Sequence, residues 1–114
     1  MKITNPLRAK QQHDHCPLDR IIQLIGDTWT LMIVYTLLSG SKRFGELFDA
    51  LGKVSPKTVS QRLKMLEEEQ IVERRAYAEI PPRVEYNLTE KGMALADILN
   101  AMRAFQDRYL SDPQ

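Results

Sequence analysis

One stretch of the chain, residues 55–88, decides the fold: SPKTVSQRLKMLEEEQIVERRAYAEIPPRVEYNL. Its first part is typical of a helix, because Ser55 can cap the amino end, Pro56 suits the first helical position, and an apolar residue recurs every third or fourth position. Two strands are predicted next, at Ile71–Tyr77 and Arg83–Leu88. Between them lies Pro81-Pro82, which cannot donate to a strand ladder. The stretch therefore predicts a helix followed by a β-hairpin.

Three shorter helices are predicted upstream of this stretch. The first begins at Cys16 and ends at Gly26. The second spans Thr28–Ser39 with Asp27 as its cap, and its apolar residues cover nearly every side, which indicates a buried central helix. The third, over residues 44–51, carries apolar residues at i, i+3, i+4 and i+7 and therefore has one buried face.

The two ends of the chain are predicted to behave differently. Thr89 is expected to cap one long final helix that reaches Tyr109 with a broad apolar stripe. Residues 1–15 mix polar and charged types without period, so we expect a flexible arm, and residues 111–114 form a short tail. Residues 16–110 are then one folded domain.

The order of these elements is typical of a winged helix-turn-helix, a mainly α fold with a small β-hairpin. In that fold the second helix of the pair, here residues 56–68, lies in the major groove of DNA. Charge agrees with this assignment: six cations and two carboxylates occur between Ser41 and Lys64, whereas four glutamates and no cation occur between Met65 and Glu73. The amino-terminal half of the helix is therefore predicted to face DNA.

The candidate DNA-binding residues follow from helical geometry. Side chains opposite the apolar stripe, or on its flank, form the predicted reading surface, with Gln61 and Arg62 matching adenine and guanine edges. Arg83, beside the hairpin loop, is predicted to reach the minor groove or a flanking phosphate. The complete set is Lys42, Arg43, Ser55, Lys57, Thr58, Ser60, Gln61, Arg62, Lys64 and Arg83. The simpler alternative is that this surface is merely the solvated side of a helix.

Composition excludes several classes of protein. The chain has 114 residues, a net charge of +1 and one cysteine, so it is one domain with no internal disulfide. No apolar run approaches the ~20 residues of a membrane span, and the amino terminus lacks the apolar core of a signal peptide, so a cytoplasmic location is expected. No catalytic constellation, phosphate-binding loop or cofactor motif occurs, so we expect neither an enzyme nor a bound cofactor.

Several segments together resemble the HxlR family of bacterial winged-helix transcription regulators, which are related to MarR-type repressors. They are CPLDRIIQLIGDTW, RFGEL, SPKTVSQRLKMLEEEQIVER and IPPRVEYNLTEKG, and the resemblance covers residues 16–109. It implies a homodimer, assembled through the first and last helices, that binds a palindromic operator in double-stranded DNA. It further implies repression or activation of a neighbouring promoter, of which we expect repression.

The apolar stripe of the last helix independently favours a dimer, because it is wider than packing on so small a body requires. With the first helix it gives the predicted interface of Leu18, Ile21, Leu95, Ile98, Leu99, Met102, Phe105 and Tyr109. The alternative is that the whole stripe belongs to the core of a single chain.

Cys16 precedes Pro17 at the predicted amino cap of the first helix, where the helix dipole favours a thiolate. The resemblance implies that a cysteine at this position senses oxidants or electrophiles, and with one cysteine a disulfide must join two chains. The alternative is a thiol that only packs. A metal site in His13-Asp14-His15-Cys16 is disfavoured, because consecutive residues do not converge easily on one tetrahedral ion.

Two further functions stay open at this point. One is a winged-helix module that binds protein rather than DNA, although such a module has no need of the basic stretch before Lys64. The other is a DNA-binding regulator switched by a small inducer held at the dimer interface, near Trp29, Tyr35 and the last helix.

Overall fold

The computed structural model describes residues 16–110 and residue 112. The described residues form six helices and one antiparallel hairpin, numbered here in chain order. The elements are α1 (Asp19–Ile25), α2 (Thr28–Leu37), α3 (Phe44–Leu51), α4 (Pro56–Glu68), β1 (Val72–Tyr77), β2 (Arg83–Leu88), α5 (Glu90–Met93) and α6 (Ala96–Tyr109). The predicted fold class is confirmed, whereas the predicted arm at 1–15 lies outside the described residues.

The start of α1 differs from the prediction. The backbone N–H of Asp19 donates to the carbonyl oxygen of Cys16 at 3.0 Å, which closes a turn ahead of the helix. Leu18 occupies the cap position, and the helix proper begins at Asp19. The prediction that Cys16 caps this helix is therefore wrong, because the turn displaces the cap by two residues, from Cys16 to Leu18.

The caps of α2 and α4 are those that the sequence predicts. The Asp27 carboxylate accepts the backbone N–H of Thr30 at 2.9 Å, and the Ser55 hydroxyl oxygen accepts that of Thr58 at 3.0 Å. These bonds satisfy amides that the first helical turn leaves without partners. The helix α2 ends at Leu37, two residues before the predicted Ser39.

The two strands pair in register from Val72 opposite Leu88 to Tyr77 opposite Arg83. A single bridge adds the link before α3 to this hairpin: Lys42 and Tyr86 exchange backbone hydrogen bonds of 2.9 and 2.7 Å. The hairpin is thereby attached to the helix pair along one edge.

The predicted long final helix is in fact two helices, α5 and α6, separated at Ala94 and Leu95. Thr89 caps α5, as predicted, by accepting the backbone N–H of Gly92 at 3.0 Å. Gly92 packs so closely that an added Cβ would overlap the carbonyl oxygen of Ile71. The helix breaks two residues after this contact, and apolar periodicity alone does not reveal such a break.

The core lies where α2, α3, α4 and the hairpin meet. Its largest fully buried side chains include Ile33, Leu37, Leu47, Leu63 and Leu66. Each contributes about 1.5–3 kcal/mol on leaving water, so this cluster holds α4 firmly against α2 and α3. No helix in the described part of the chain combines the length and apolar character needed to cross a membrane.

Candidate nucleic-acid interface

The outward side of α4 is polar and accessible to solvent. Val59, Leu63 and Leu66 are buried on the inward side. Four residues of the predicted reading surface are exposed on the other: Lys57, Ser60, Gln61 and Lys64. They offer two cationic point charges, one hydroxyl and one amide, the groups that contact phosphates and base edges.

At the amino end of α4, the two predicted contact residues Ser55 and Thr58 bond to each other. The Ser55 hydroxyl donates to Thr58 Oγ1 at 2.9 Å while accepting the Thr58 backbone N–H. Their first role is to begin the helix. The positive end of the α4 dipole, which favours an anion, lies at this same end.

Arg62 is held within the chain by Asp27. Its Nε donates to Asp27 Oδ2 at 2.8 Å and its Nη2 donates to Asp27 Oδ1 at 3.3 Å. The hydrogen bond from Arg62 lowers the pKa of Asp27 from 3.8 to about 2, against the opposing effect of burial. The same bond raises the pKa of the Arg62 guanidinium. The structure thus holds the Nε–Nη2 edge of the Arg62 guanidinium within the chain, and its assignment as a guanine-reading side chain stays a prediction.

Arg83 is likewise held within the protein. Its guanidinium donates to Glu79 at 2.8 Å and to Glu85 at 3.1 Å, and it lies 4.0 Å from the centre of the Tyr77 ring. Two carboxylates neutralise its charge and the ring covers one face. The predicted contact of Arg83 with a minor groove or a phosphate stays a prediction, and in this structure the side chain joins the hairpin loop to both strands.

The two cations of the basic link before α3, Lys42 and Arg43, differ in their surroundings. The Lys42 ammonium donates to Ser39 Oγ at 3.0 Å and lies 3.4 Å from the Gly40 carbonyl oxygen, so it is turned back onto the preceding loop. Arg43 is exposed, and its backbone N–H donates to Glu46 at 2.8 Å. Arg43 is thus the more available cation of this link.

A second face lies between α2 and α6. An open groove of about 1190 Å³ separates them, with a lining that includes Leu31, Met32, Tyr35, Ile98, Met102 and Phe105. Arg103 Nη1 donates to the Tyr35 hydroxyl at 2.8 Å across the two helices. Tyr35, named in the small-ligand alternative, lines this groove, whereas Trp29 packs against the core.

The predicted interface residues divide into two groups. Leu95 and Leu99 are buried in the core of their own chain, although Leu99 also lines the groove, and their assignment to a dimer interface stays a prediction. Ile21 is half-buried against the same core. The remaining residues are large, apolar and exposed: Leu18, Ile98, Met102, Phe105 and Tyr109. Exposed Ile22 and Leu110 were missed, although each is an apolar residue next to a predicted position, and exposed Met32 on α2 was missed as well.

Cys16 is a free, exposed thiol in the turn that precedes α1. His13, Asp14 and His15, the other members of the disfavoured metal site, lie outside the described residues. Among residues 16–110 and 112, no group of three or more histidine, cysteine or acidic side chains is placed to hold a metal ion.

Comparisons with known proteins agree with this architecture. The profile of the HxlR-like helix-turn-helix family matches residues 24–114. YvaP of Bacillus subtilis, an uncharacterized HTH-type transcriptional regulator, is 40% identical over 103 residues, which cover 90% of this chain and 94% of YvaP. The reduced form of the regulator YodB from B. subtilis is 37% identical with a TM-score of 0.74, over 87% of this chain and 98% of YodB.

A third similar protein is the redox regulator HypR, solved in its oxidized form. It is 32% identical with a TM-score of 0.80, over 86% of this chain and all of HypR. Since the family profile spans most of the chain and the relatives exceed 30% identity over most of their own length, this protein belongs to the HxlR-like helix-turn-helix family of transcription regulators, which bind DNA and are not enzymes.

Proposed function

We propose that this protein is a homodimeric repressor that binds a palindromic operator in the cytoplasm and loses or gains DNA affinity when Cys16 is oxidised or alkylated. The observation that carries the DNA-binding part is the exposed polar side of α4, where Lys57, Ser60, Gln61 and Lys64 stand opposite a buried apolar stripe. A nearly neutral protein can bind a polyanion when its cations are gathered on one surface.

The charges along α4 favour one orientation on DNA. Lys57 lies in its first turn, whereas Glu67, Glu68 and Glu69 lie at its last turn. Phosphates are attracted to the amino end and repelled from the carboxyl end. We therefore expect the amino-terminal half of α4 to enter the major groove, with Gln61 at base edges and the two lysines at phosphates.

The dimeric state is supported by the apolar groove between α2 and α6. Phe105 and Tyr109 are 57% and 62% exposed, and Met102 is 48% exposed on the same helix. A contiguous surface of this kind usually marks an interface in a soluble protein. We expect the two copies of α4 in such a dimer to lie about one DNA turn apart, roughly 34 Å, or a multiple of it.

The redox part of the proposal is supported by the exposure of the Cys16 thiol and by the relatives. HypR carries the description redox regulator and is solved in its oxidized form, and YodB is solved in a reduced form. Because the sequence contains one cysteine, a disulfide in this protein joins two subunits.

The DNA-binding proposal is tested by band shifts on the promoter region adjacent to the gene, at several salt concentrations. Lys57→Ala is expected to weaken binding to all sequences and to reduce the slope of log K against log salt by about 1.8, because a dimer loses two phosphate contacts at about 0.9 each. Lys91→Gln is the matched control, because Lys91 contacts the Glu69 carbonyl oxygen at the opposite end of α4. Absent or salt-independent binding of the parent protein would reject the proposal.

A further inference from the structure

We propose that Arg62 and Asp27 form a positioning pair that, together with the buried apolar stripe of α4, fixes the rotation of α4 about its own axis, and hence which side chains α4 presents to DNA. The inference rests on the proposed DNA-binding function. It assigns sequence preference to two residues that do not touch DNA themselves. The two residues are 35 positions apart in the chain, so their contact is a constraint between α2 and α4 rather than a local turn.

Four hydrogen bonds converge on the Asp27 carboxylate. Oδ2 accepts the backbone N–H of Thr30 at 2.9 Å, the Thr30 hydroxyl at 2.8 Å and Nε of Arg62 at 2.8 Å. Oδ1 accepts Nη2 of Arg62 at 3.3 Å. Thr30 is completely buried, so the carboxylate is itself fixed to the first turn of α2. A guanidinium fork held at two oxygens has a defined direction as well as a defined distance.

This geometry restricts rotation of α4, because Arg62 leaves the helix on the flank between the buried stripe and the exposed side. Side-chain tips lie about 6 Å from a helix axis, so a rotation of ~20° displaces them by about 2 Å. That displacement exceeds the tolerance of a hydrogen bond to a base edge. Gln61, the neighbour of Arg62 on α4, is the predicted base-contacting residue that this rotation would displace.

The Asp27–Arg62 pair also connects α4, through α2, to the proposed dimer face. The helix α2 receives Arg62 at its amino end and Arg103 of α6 at Tyr35, nearer its carboxyl end. A fixed angle between α4 and α2 therefore fixes the distance between the two copies of α4 in a dimer. Loss of the pair should widen the range of half-site spacings that the protein accepts.

The test compares Arg62→Gln, Asp27→Asn and the double variant on operators changed at one base pair at a time and on operators with altered half-site spacing. Asparagine still caps α2, so Asp27→Asn removes the charge pair and keeps the cap. Each single variant is expected to lower operator affinity about five-fold. Each should also reduce the preference for particular bases at several positions of the operator. The double variant should bind the operator as tightly as either single variant, because both substitutions remove the same contact.

Folding is monitored by thermal unfolding, and assays are run well below the transition, so that a loss of folded protein is not mistaken for the effect. A variant that is only less stable binds all operators more weakly by the same factor. Its preference among base pairs and among half-site spacings then equals that of the parent, and this result would overturn the proposal. Arg62→Gln losing preference at one base pair while Asp27→Asn binds like the parent would also overturn it, since Arg62 would then read a base.

Lys64→Gln, two residues along α4, serves as the comparison variant. It should reduce the salt slope, whereas Arg62→Gln should leave the slope unchanged because Arg62 contacts no phosphate under the proposal. The two proposals can fail separately. If the parent binds the operator and Lys64→Gln reduces the salt slope, the DNA-binding function stands. If Asp27→Asn and Arg62→Gln then differ in base-pair preference, the positioning pair is rejected.

Discussion

The guanidinium of Arg83 lies 4.0 Å from the centre of the Tyr77 ring, directly across the last paired position of the hairpin. With Glu79 and Glu85 as additional partners, it joins both strands to the loop between them. Each of these contacts is worth a fraction of 1 kcal/mol at a partly exposed site, and they share one side chain.

We expect Arg83→Ala to destabilise the hairpin by about 1 kcal/mol through the combined loss of these contacts. Hydrogen exchange of the amides in Val72–Tyr77 and Arg83–Leu88 should accelerate, while exchange in α4 stays as in the parent. Arg74→Ala, an exposed strand arginine, is the control. A large drop in the salt slope of DNA binding with unchanged hairpin exchange would show instead that Arg83 contacts a phosphate.

The Asp27–Arg62 pair predicts a stability change at low pH. The hydrogen bond from Arg62 lowers the pKa of Asp27 to about 2, below its ordinary value of 3.8. A carboxyl group whose pKa is lowered in the folded state contributes stability above pH ~4 and loses it as pH falls through about 2. The carboxylate is partly exposed, so we expect about 1 kcal/mol after allowance for solvent screening.

This contribution is measured by denaturant unfolding between pH 5 and pH 2, within the range in which the protein stays folded. Asp27→Asn should show a smaller loss of stability over this interval than the parent, because asparagine does not titrate. Identical curves for the two proteins would contradict the assigned pKa and its cause.

The apolar surface of α6 predicts that one substitution separates the subunits. Phe105→Glu places a charge in the groove between α2 and α6, and burying an unpaired carboxylate at an interface is strongly unfavourable. Sedimentation velocity is expected to show a dimer for the parent and a monomer for this variant. Ala104→Glu, exposed and outside the groove lining, is the matched control and should stay dimeric. A monomeric parent would contradict the dimer proposal.

The exposed Cys16 thiol is expected to form a disulfide between subunits or an adduct when the protein is treated with an oxidant or an electrophile. After treatment with peroxide or a quinone, a non-reducing gel is expected to show a species joined between subunits or a mass increase on Cys16, and operator affinity should change. Cys16→Ser should show neither effect. Equal operator affinity before and after treatment of the parent would exclude a sensing role for this thiol.

The helix α4 and the hairpin could be predicted from the sequence because their signals are local. Ser55 and Pro56 mark the helix start, and the two prolines between the strands mark the loop. The side of α4 that is exposed follows from the same periodicity. These elements depend on neighbours within a few residues, which is the range over which sequence patterns carry information.

The roles of Arg62 and Arg83 could not be predicted in this way, because they depend on partners. Asp27, the partner of Arg62, was recognised as the cap of α2, yet nothing in the local pattern places it beside α4. The break between α5 and α6 was missed for a related reason: Leu95 continues the apolar stripe in sequence although it turns into the core in the structure.

Gly92 has a consequence for how this sequence can change. An added Cβ there would overlap the carbonyl oxygen of Ile71, whereas one at Gly45 would meet no atom within 4 Å. In a library randomised at each of these codons and selected for operator binding in cells, position 92 should return glycine alone, while position 45 should accept many residues. Relatives of this protein are therefore expected to keep glycine at position 92, where α5 packs against the residue before β1. At position 45, near the start of α3, they are expected to differ freely.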